Sequence, residues 1–246
     1  MPAYCLPAHS RTISYKGKPI PIKLAVVLPG IDGTLIDSND AHARAYMEAF
    51  RAHRVEVNSV DLRKATGMDG DNLFPTVAHR EEDSPDGKAI SKTRSELFKQ
   101  KYQPTLRAFP QVKELLMRLR QDGIKLVVAT SAKPEEAKAF LELTGAADLI
   151  DTIATTEDAE NSKPAPDIIQ ATLKKSGLET AFVVMLGDTP YDVEAAKKAG
   201  VGTIGVGTIG VCGGGWAAPD LKGALAICDD PADLLAHYAE PPLAGN

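Results

Sequence analysis

The amino-acid sequence predicts an α/β protein, with a Rossmann-like, doubly wound parallel sheet and an inserted, mostly helical cap. Two observations support this class. From about residue 110 to residue 206, short apolar runs alternate with helical patterns, which is typical of a parallel sheet covered by helices on both faces. Residues 38–107 interrupt that alternation after the first strand and contain helical patterns of their own. We therefore divide the chain into an irregular N-terminal extension (1–22), an α/β core (23–37 and 108–246) and the helical cap (38–107).

The predicted strands are continuous apolar runs, as expected where both faces of a strand are buried. The first run ends at Pro29 and Gly30, a pair that breaks regular structure. Asn39 is the expected cap of the first helix. Strands are predicted at residues 23–28, 124–129, 149–153, 181–186 and 203–206, the last of which completes the sheet. Helices are predicted at residues 39–53, 91–102, 112–119, 134–145, 167–175 and 191–199.

Composition and charge exclude several classes of protein. The chain of 246 residues is 43% apolar and has a net charge of −5 with both signs spread along it, which does not favour a nucleic-acid partner. Its 3 cysteines are too few and too scattered for a disulfide framework. The first residues contain no long apolar run, so we expect neither a signal peptide nor a membrane span. A cytoplasmic monomer or homodimer without a membrane partner is therefore expected.

A tandem of five residues stands near the end of the predicted sheet. Residues 202–206 are repeated as residues 207–211, and both copies contain two glycines. The repeat has two interpretations: an extended loop after the last strand, or a glycine-rich loop that cradles a phosphate group. The glycines favour the extended loop.

Polar side chains follow four of the predicted strands, at the edge where open parallel sheets place their sites. Asp188 and Asp192 offer the carboxylate oxygens that Mg²⁺ prefers. Lys163 can offset the negative charge of a phosphate group, and Thr130 offers a hydroxyl beside backbone N–H groups. Asp32 is a candidate proton donor and acceptor. These are the parts that phosphoryl transfer needs, apart from a nucleophile.

Each of these side chains also has a purely structural interpretation. Asp32 precedes a glycine and could be a turn residue. Thr130 or Ser131 could cap the helix that follows. Lys163 could be a solvated surface charge. Asp192 could be a helix-start carboxylate that interacts with the helix dipole, a role compatible with metal binding.

Taken together, the four segments resemble the four motifs of the haloacid dehalogenase superfamily. Residues 32–35 with Asp37 match the first motif, Thr130 the second, Lys163 the third, and Asp188 with Asp192 the fourth. The insert is similar to the helical cap of the phosphoglycolate phosphatase and beta-phosphoglucomutase branch. The resemblance implies Mg²⁺-dependent hydrolysis of a small phosphorylated metabolite. It implies that Asp32 is the general acid/base, that Lys163 is a further catalytic residue, and that Thr130, Ser131, Lys163 and His42 bind the substrate or its phosphate group. The implied metal ligands are the side chains of Asp188 and Asp192 and the backbone carbonyl of Asp32.

The sequence departs from the family at the nucleophile. Family members usually have Asp-x-Asp after the first strand, and the first aspartate attacks phosphorus and binds Mg²⁺. Here that position is Gly30, which has no side chain for either task. We therefore predict weak or absent phosphatase activity, restored in Gly30→Asp. The alternatives are a non-catalytic binding or regulatory protein, an active enzyme disabled by a substitution, slow hydrolysis by bound water, and a shifted register in which Asp32 attacks.

The insert gives less information about the substrate. His42 occupies the position of a proton-handling histidine in the beta-phosphoglucomutase relatives, or is a helix-surface histidine. The loop at residues 67–70 lacks the phosphate-binding arginine of those mutases, so a phosphatase is favoured over a mutase. Arg63 and Lys64 are expected to be solvated rather than in contact with substrate. A dinucleotide-binding dehydrogenase is disfavoured, because no Gly-x-Gly-x-x-Gly follows the first strand.

Overall fold

The computed structural model describes residues 12–15, 18–21, 26–177, 180, 183–206 and 216–238. In this part of the chain a parallel sheet of six strands forms the core, in the order β5-β4-β3-β6-β7-β8. The strands are β3 (Val26–Pro29), β4 (Lys125–Ala129), β5 (Thr152–Ala154), β6 (Val183–Gly187), β7 (Gly202–Val206) and β8 (Ala226–Cys228). The predicted α/β class is confirmed. β3 lies between β4 and β6, so the sheet order reverses beside the first strand.

Helices cover both faces of this sheet, because successive strand residues point to opposite sides. They are α5 (Val112–Gln121), α6 (Pro134–Leu143), α7 (Asp167–Ser176), α8 (Pro190–Lys198) and α9 (Pro231–Ala236). Val27 packs in one apolar cluster with residues of α5, α6 and α9. Its neighbour Val26 packs in a second cluster with residues of α7 and α8. The sheet is therefore doubly wound, and its strands are apolar on both faces, as predicted.

Residues 39–105 form the helical segment between β3 and α5. It contains α1 (Asn39–Ala52), α2 (Ser59–Ala65), α3 (Gly70–Ala78) and α4 (Pro85–Leu97), followed by a π-helical turn (Phe98–Tyr102) and a 3₁₀ turn (Gln103–Thr105). Phe50, Leu62, Phe74 and Ile90 build an apolar cluster within this segment. A separate cluster is what an inserted cap needs to hold its own shape, although the exact division into domains stays a prediction.

Two helix starts differ from the sequence prediction. Ser38, not Asn39, is the residue before the first turn of α1, and the Asn39 side chain contacts Asp188 instead. α4 begins at Pro85 rather than at residue 91, because the Ser84 hydroxyl accepts a hydrogen bond from the Gly87 N–H and proline suits the first helical position. The polar stretch before α4 also contains α2 and α3, for which we predicted no helix.

The two ends of the chain also correct the prediction. The extension predicted as irregular contains an antiparallel pair, β1 (Thr12–Tyr15) and β2 (Lys18–Pro21). Prolines are tolerated in such edge strands, where no ladder bond is lost on the open side. The first copy of the tandem is β7, which is not the last strand, since β8 follows. The second copy lies outside the described residues. None of the described helices combines the length and apolar character needed to cross a membrane.

Candidate active site

The carboxyl ends of β3, β4 and β6 face the helical segment across a cleft of about 330 Å³. Ligands of open α/β sheets bind at this edge, where the strand order reverses. All the predicted site residues line this one cleft: Gly30, Asp32, His42, Thr130, Ser131, Lys163, Asp188 and Asp192. The structure therefore brings together side chains from four separate segments of the sequence. Their convergence is confirmed, while the chemical role of each stays a prediction.

The turn after β3 requires glycine at position 33. Gly33 has a φ of +67°, a left-handed conformation that side chains other than glycine rarely adopt. A Cβ there would also overlap the Asp188 carboxylate and the Asn39 amide. The sharp turn and the close approach of Asp188 therefore depend on the same residue. Asp32 belongs to this turn and also lines the cleft, so its turn interpretation is compatible with a role in the site.

Gly30 has no such requirement. Its φ lies outside the left-handed region, and its N–H donates to the Leu186 carbonyl at 2.9 Å, as in an ordinary strand. A Cβ at this position would lie 3.3 Å from the Thr34 hydroxyl and 3.5 Å from the Leu186 carbonyl, which needs a small adjustment of one threonine side chain. The fold therefore has room for a side chain at residue 30, on the wall of the cleft.

Asp32 is the end of a hydrogen-bonded chain that reaches into the helical segment. Its Oδ1 accepts from the Ser38 hydroxyl at 2.5 Å and contacts His42 Nε2 at 2.8 Å. The Arg94 guanidinium contacts the other ring nitrogen, Nδ1. Because arginine can only donate, Nδ1 accepts and Nε2 bears the proton that is donated to Asp32. His42 is buried and stacks on the Phe98 ring, with 4.2 Å between centroids, so its helix-surface interpretation is wrong.

These contacts keep Asp32 ionised. Burial would raise the pKa of Asp32, but His42, Ser38 and Lys163 outweigh burial and hold the pKa below its ordinary value. At neutral pH the side chain is therefore a carboxylate, which can accept a proton.

Lys163 forms a buried ion pair with Asp192. The Lys163 ammonium donates to Asp192 Oδ1 at 2.8 Å. Asp192 Oδ2 accepts from the N–H and the hydroxyl of Thr189, at 3.0 and 2.7 Å, in a capping box at the start of α8. The helix-start interpretation of Asp192 is confirmed, and the solvated interpretation of Lys163 is wrong. Burial would lower the pKa of Lys163, but Asp192, with smaller effects of Asp69 and Asp188, raises it.

Asp188 lies beside this pair. Its two carboxylate oxygens accept from the Asn39 amide at 2.6 Å and from the Thr34 hydroxyl at 3.4 Å. Burial, reinforced by the nearby charge of Asp192, raises the pKa of Asp188 to about 7, although Asn39 and Lys163 oppose the shift. A cation beside Asp188 would relieve this unfavourable concentration of negative charge.

The donor set suits a hard cation in kind but is short of one anionic ligand. The carboxylate of Asp188 is an oxygen donor of the type that Mg²⁺ prefers. Both oxygens of Asp192 already have partners, so its metal role stays a prediction. Among the described residues, no group of three His, Cys, Asp or Glu side chains is arranged to hold a metal ion. An aspartate at residue 30 would add the missing carboxylate on the same wall of the cleft.

Thr130 and Ser131 form the turn after β4. The Thr130 hydroxyl accepts from the Ala132 N–H at 3.1 Å. α6 begins after Lys133 without any side-chain cap, so the interpretation of Thr130 or Ser131 as its cap is wrong. Ser131 hydrogen-bonds to Asp69, which reaches the cleft from the loop before α3.

Asp69 is a site residue that the sequence did not indicate. Burial raises its pKa to about 6, with smaller contributions from Asp71 and Glu82, against the opposing effects of Lys163 and Ser131. The helical segment therefore places a carboxylate with a raised pKa against the predicted phosphate-binding groups.

Asp69→Asn is expected to stabilise the protein at alkaline pH much more than at acid pH. The folded pKa of Asp69 lies above its ordinary value, so the protonated form is favoured by folding and the stability contribution is lost as pH rises through about 6. The substitution should gain about 2 kcal/mol more at about pH 8 than at about pH 4.5. Urea unfolding at both pH values measures the difference, with the exposed Asp83→Asn as control. Equal gains at both pH values would contradict the buried-carboxylate account.

The two basic residues of α2 lie outside the cleft. Arg63 pairs with Asp40, and the Lys64 ammonium lies 6.0 Å from the centroid of the Trp216 ring. Neither residue lines the cleft; Lys64 is exposed, as predicted, whereas Arg63 is half-buried in its ion pair rather than solvated. Lys64 instead belongs to a junction between the helical segment and the core, where the Tyr191 hydroxyl donates to the Lys64 carbonyl at 3.2 Å.

The similarities of the chain to known proteins agree with this geometry. The sequence profile of the family described as haloacid dehalogenase-like hydrolase matches residues 30–206. The pyrophosphatase PpaX of Oceanobacillus iheyensis is 26% identical over 185 residues, which are 75% of this chain and 84% of that protein. The validoxylamine A 7'-phosphate phosphatase of Streptomyces hygroscopicus is 29% identical, over 74% of this chain and 84% of that protein. A crystal structure of a hydrolase from Pseudomonas syringae superimposes with a TM-score of 0.78 at 27% identity, covering 88% of this chain and 98% of the other. The chain therefore belongs to the haloacid dehalogenase-like hydrolase family, and its relatives include phosphatases.

Proposed function

We propose that this chain binds a small phosphate monoester in the cleft and that it is an Mg²⁺-dependent phosphatase whose turnover is very slow because Gly30 stands in the place of the nucleophile. One observation supports this most: a buried lysine, the turn after β4 and an ionised aspartate line the same cleft as Gly30. One relative named above is called a phosphatase and another a pyrophosphatase, which supports hydrolysis at phosphorus.

The phosphate group would be held by Lys163 and by the turn that contains Thr130 and Ser131. An ammonium group has three N–H donors, and Asp192 accepts one from Lys163. The remaining donors can bind phosphate oxygens. Because the ion pair is buried, the position of this positive charge is fixed before the ligand arrives, which is what electrostatic stabilisation of a transferred phosphoryl group requires.

Asp188 would hold Mg²⁺ together with the backbone carbonyl of Asp32, and Asp192 stays a predicted further ligand. When bound, the ion would neutralise charge on the phosphate oxygens. Asn39 and Thr34 keep the Asp188 carboxylate in place for this role. With glycine at residue 30 we expect Mg²⁺ to bind more weakly than it would with a second carboxylate there.

Asp32 supplies the acid/base chemistry. Its carboxylate would take a proton from a water molecule whose oxygen attacks phosphorus, while the bond between phosphorus and the ester oxygen breaks. The departing alkoxide, which lies on the opposite side of phosphorus from the attacking water, takes a proton from solvent and leaves as the alcohol, and Asp32 returns its proton to solvent. His42 holds the Asp32 carboxylate in position, since its Nε2–H donates to Oδ1. This route uses only groups that the chain has, and it lacks the covalent step that accelerates such reactions.

The second candidate is a binding or regulatory protein that retains a phosphorylated ligand without turnover. Gly30 favours this second candidate, because Lys163, Thr130 and Ser131 are present to bind phosphate, whereas residue 30 has no side chain that could attack it. The two candidates differ in product release. Prolonged incubation with a phosphate monoester releases inorganic phosphate from a slow phosphatase and none from a pure binding protein.

Inorganic phosphate is expected to bind the chain, and to bind more tightly with Mg²⁺. Asp188→Asn should abolish the effect of Mg²⁺, because the substitution removes the anionic metal ligand, while binding of phosphate alone persists through Lys163. Isothermal calorimetry with and without Mg²⁺ measures both, and the exposed Asp83→Asn is the control. Absence of phosphate binding under all conditions would refute the proposed function.

A further inference from the structure

Arg94, on α4, is a cation of the cleft without a carboxylate partner among the described residues. It lines the cleft opposite the core. Its guanidinium has five N–H donors, and the structure records one hydrogen bond from them, to His42 Nδ1. The Nε atom is buried and has no hydrogen-bond partner. The remaining N–H donors of Arg94 therefore have no hydrogen-bond partner among the described residues, and a ligand could accept from them.

Two aromatic rings hold the guanidinium in place. Its central carbon lies 4.8 Å from the centroid of the Tyr46 ring and 5.0 Å from that of the Phe98 ring. Such contacts orient an arginine, but they do not satisfy its N–H groups. The buried Nε–H without a partner is unfavourable, and an anionic group that enters the cleft and accepts from the guanidinium would remove that penalty.

Two acidic side chains that the helical segment contributes to the cleft are engaged elsewhere. The Glu82 carboxylate accepts from the Ser91 hydroxyl at 2.6 Å and packs on Gly70, at the start of α3, where a negative charge is favoured. Asp69 hydrogen-bonds to Ser131 on the other side of the cleft. Among the described residues no carboxylate forms an ion pair with Arg94, including Glu136 at the start of α6, which also lines the cleft, so the charge of Arg94 is available to a ligand.

We infer that Arg94 binds a second anionic group of the same ligand, so that the substrate class is a phosphate monoester with a carboxylate or another anion at its far end. This inference rests on the proposed function, which places the phosphate at Lys163. One imidazole ring separates the Asp32 carboxylate from the Arg94 guanidinium. A ligand whose phosphate group binds at Lys163, in the same cleft as Asp32, therefore needs only a short carbon chain to reach Arg94.

The test uses three pairs of phosphonates that cannot be hydrolysed. The first pair is phosphonoacetate and ethylphosphonate. The second and third pairs have carbon chains that are longer by one and by two methylene groups. Within each pair the members differ only in a terminal carboxylate or methyl group. Calorimetric titration of the wild-type chain should show a preference of about tenfold or more for the carboxylate member of at least one pair, because charge-assisted hydrogen bonds are then formed. Arg94→Met, which keeps an extended side chain between the two rings, should abolish that preference. Its affinity for inorganic phosphate should change little.

Arg94→Lys keeps the charge and should retain part of the preference, which covers the case in which the methionine variant folds poorly. Equal affinities within every pair for the wild-type chain would overturn the inference while leaving the proposed function intact. So would a preference that survives in Arg94→Met, since Arg94 would then serve only to orient His42. If neither the probes nor inorganic phosphate bind, both proposals fail.

Discussion

Gly30→Asp should raise the phosphatase activity of this chain by about a thousandfold or more, since the loss of a nucleophile commonly costs several orders of magnitude in rate. The new carboxylate would attack phosphorus directly, and it would add the anionic metal ligand that the cleft lacks. The structure accommodates it, because residue 30 has an ordinary backbone conformation and its Cβ would meet the Thr34 hydroxyl at 3.3 Å. The covalent route would then replace attack by water.

The measurement compares the phosphatase activity of the wild-type chain with that of Gly30→Asp on one panel of phosphate monoesters with Mg²⁺. Gly30→Asn is the matched control, because it has nearly the same size and cannot attack phosphorus. The double variant Gly30→Asp with Asp32→Asn should lose most of the gain, since the acid/base group is then missing. A Gly30→Asp protein that is folded and inert towards the whole panel would argue against the inherited phosphatase role.

Lys163→Met is expected to have the largest effect on both ligand binding and stability. It removes the fixed positive charge of the cleft, so affinity for inorganic phosphate should fall by about a hundredfold. It also leaves the buried Asp192 carboxylate without its cation, and breaking a buried pair in this way costs about 3–5 kcal/mol. Calorimetry and urea unfolding measure the two effects separately.

Two controls separate those effects. Adding Asp192→Asn to Lys163→Met removes the unpaired charge, so stability should partly recover while phosphate binding stays lost. Lys175→Met breaks an exposed pair with Asp158 and should cost less than about 1 kcal/mol. If the double variant regained phosphate affinity, Lys163 would not be the phosphate-binding cation. If Lys163→Met were as stable as Lys175→Met, the buried pair would not stabilise the fold.

The sequence allowed much of the core and of its site to be predicted. Continuous apolar runs are a strong signal for strands buried on both faces, and Val26 and Val27 contact opposite helix layers as that signal requires. Parallel strands place the residues that follow them at one edge of the sheet. For that reason Asp32, Thr130 and Asp188 could be expected in one crevice without any knowledge of tertiary contacts.

The residues contributed by the helical segment were harder to predict. Arg94 is held at the cleft by Tyr46 and Phe98 of the same segment, and Asp69 by its contact with Ser131 of the core, and no local pattern encodes either set of contacts. The sequence predicts Asn39 as a helix cap, because asparagine is common at that position. Its amide instead donates to Asp188, which is too distant in the sequence for a local pattern to indicate the contact. β8 could not be predicted for another reason: its three residues give an apolar run too short to be recognised as a strand.

The most direct test of the central claim is to trap a phosphoryl group on residue 30. Gly30→Asp with Asp32→Asn, mixed with p-nitrophenyl phosphate and Mg²⁺ and quenched in acid, should retain a phosphoryl group, because p-nitrophenolate leaves without a proton from residue 32 whereas the hydrolytic step lacks its base. Peptide mass spectrometry should locate it on the aspartate introduced at residue 30. Two results would contradict the assignment of Gly30 to the nucleophile position. One is a phosphoryl group on another residue. The other is no phosphoryl group on the double variant, although that variant binds inorganic phosphate and Gly30→Asp with Asp32 intact releases product.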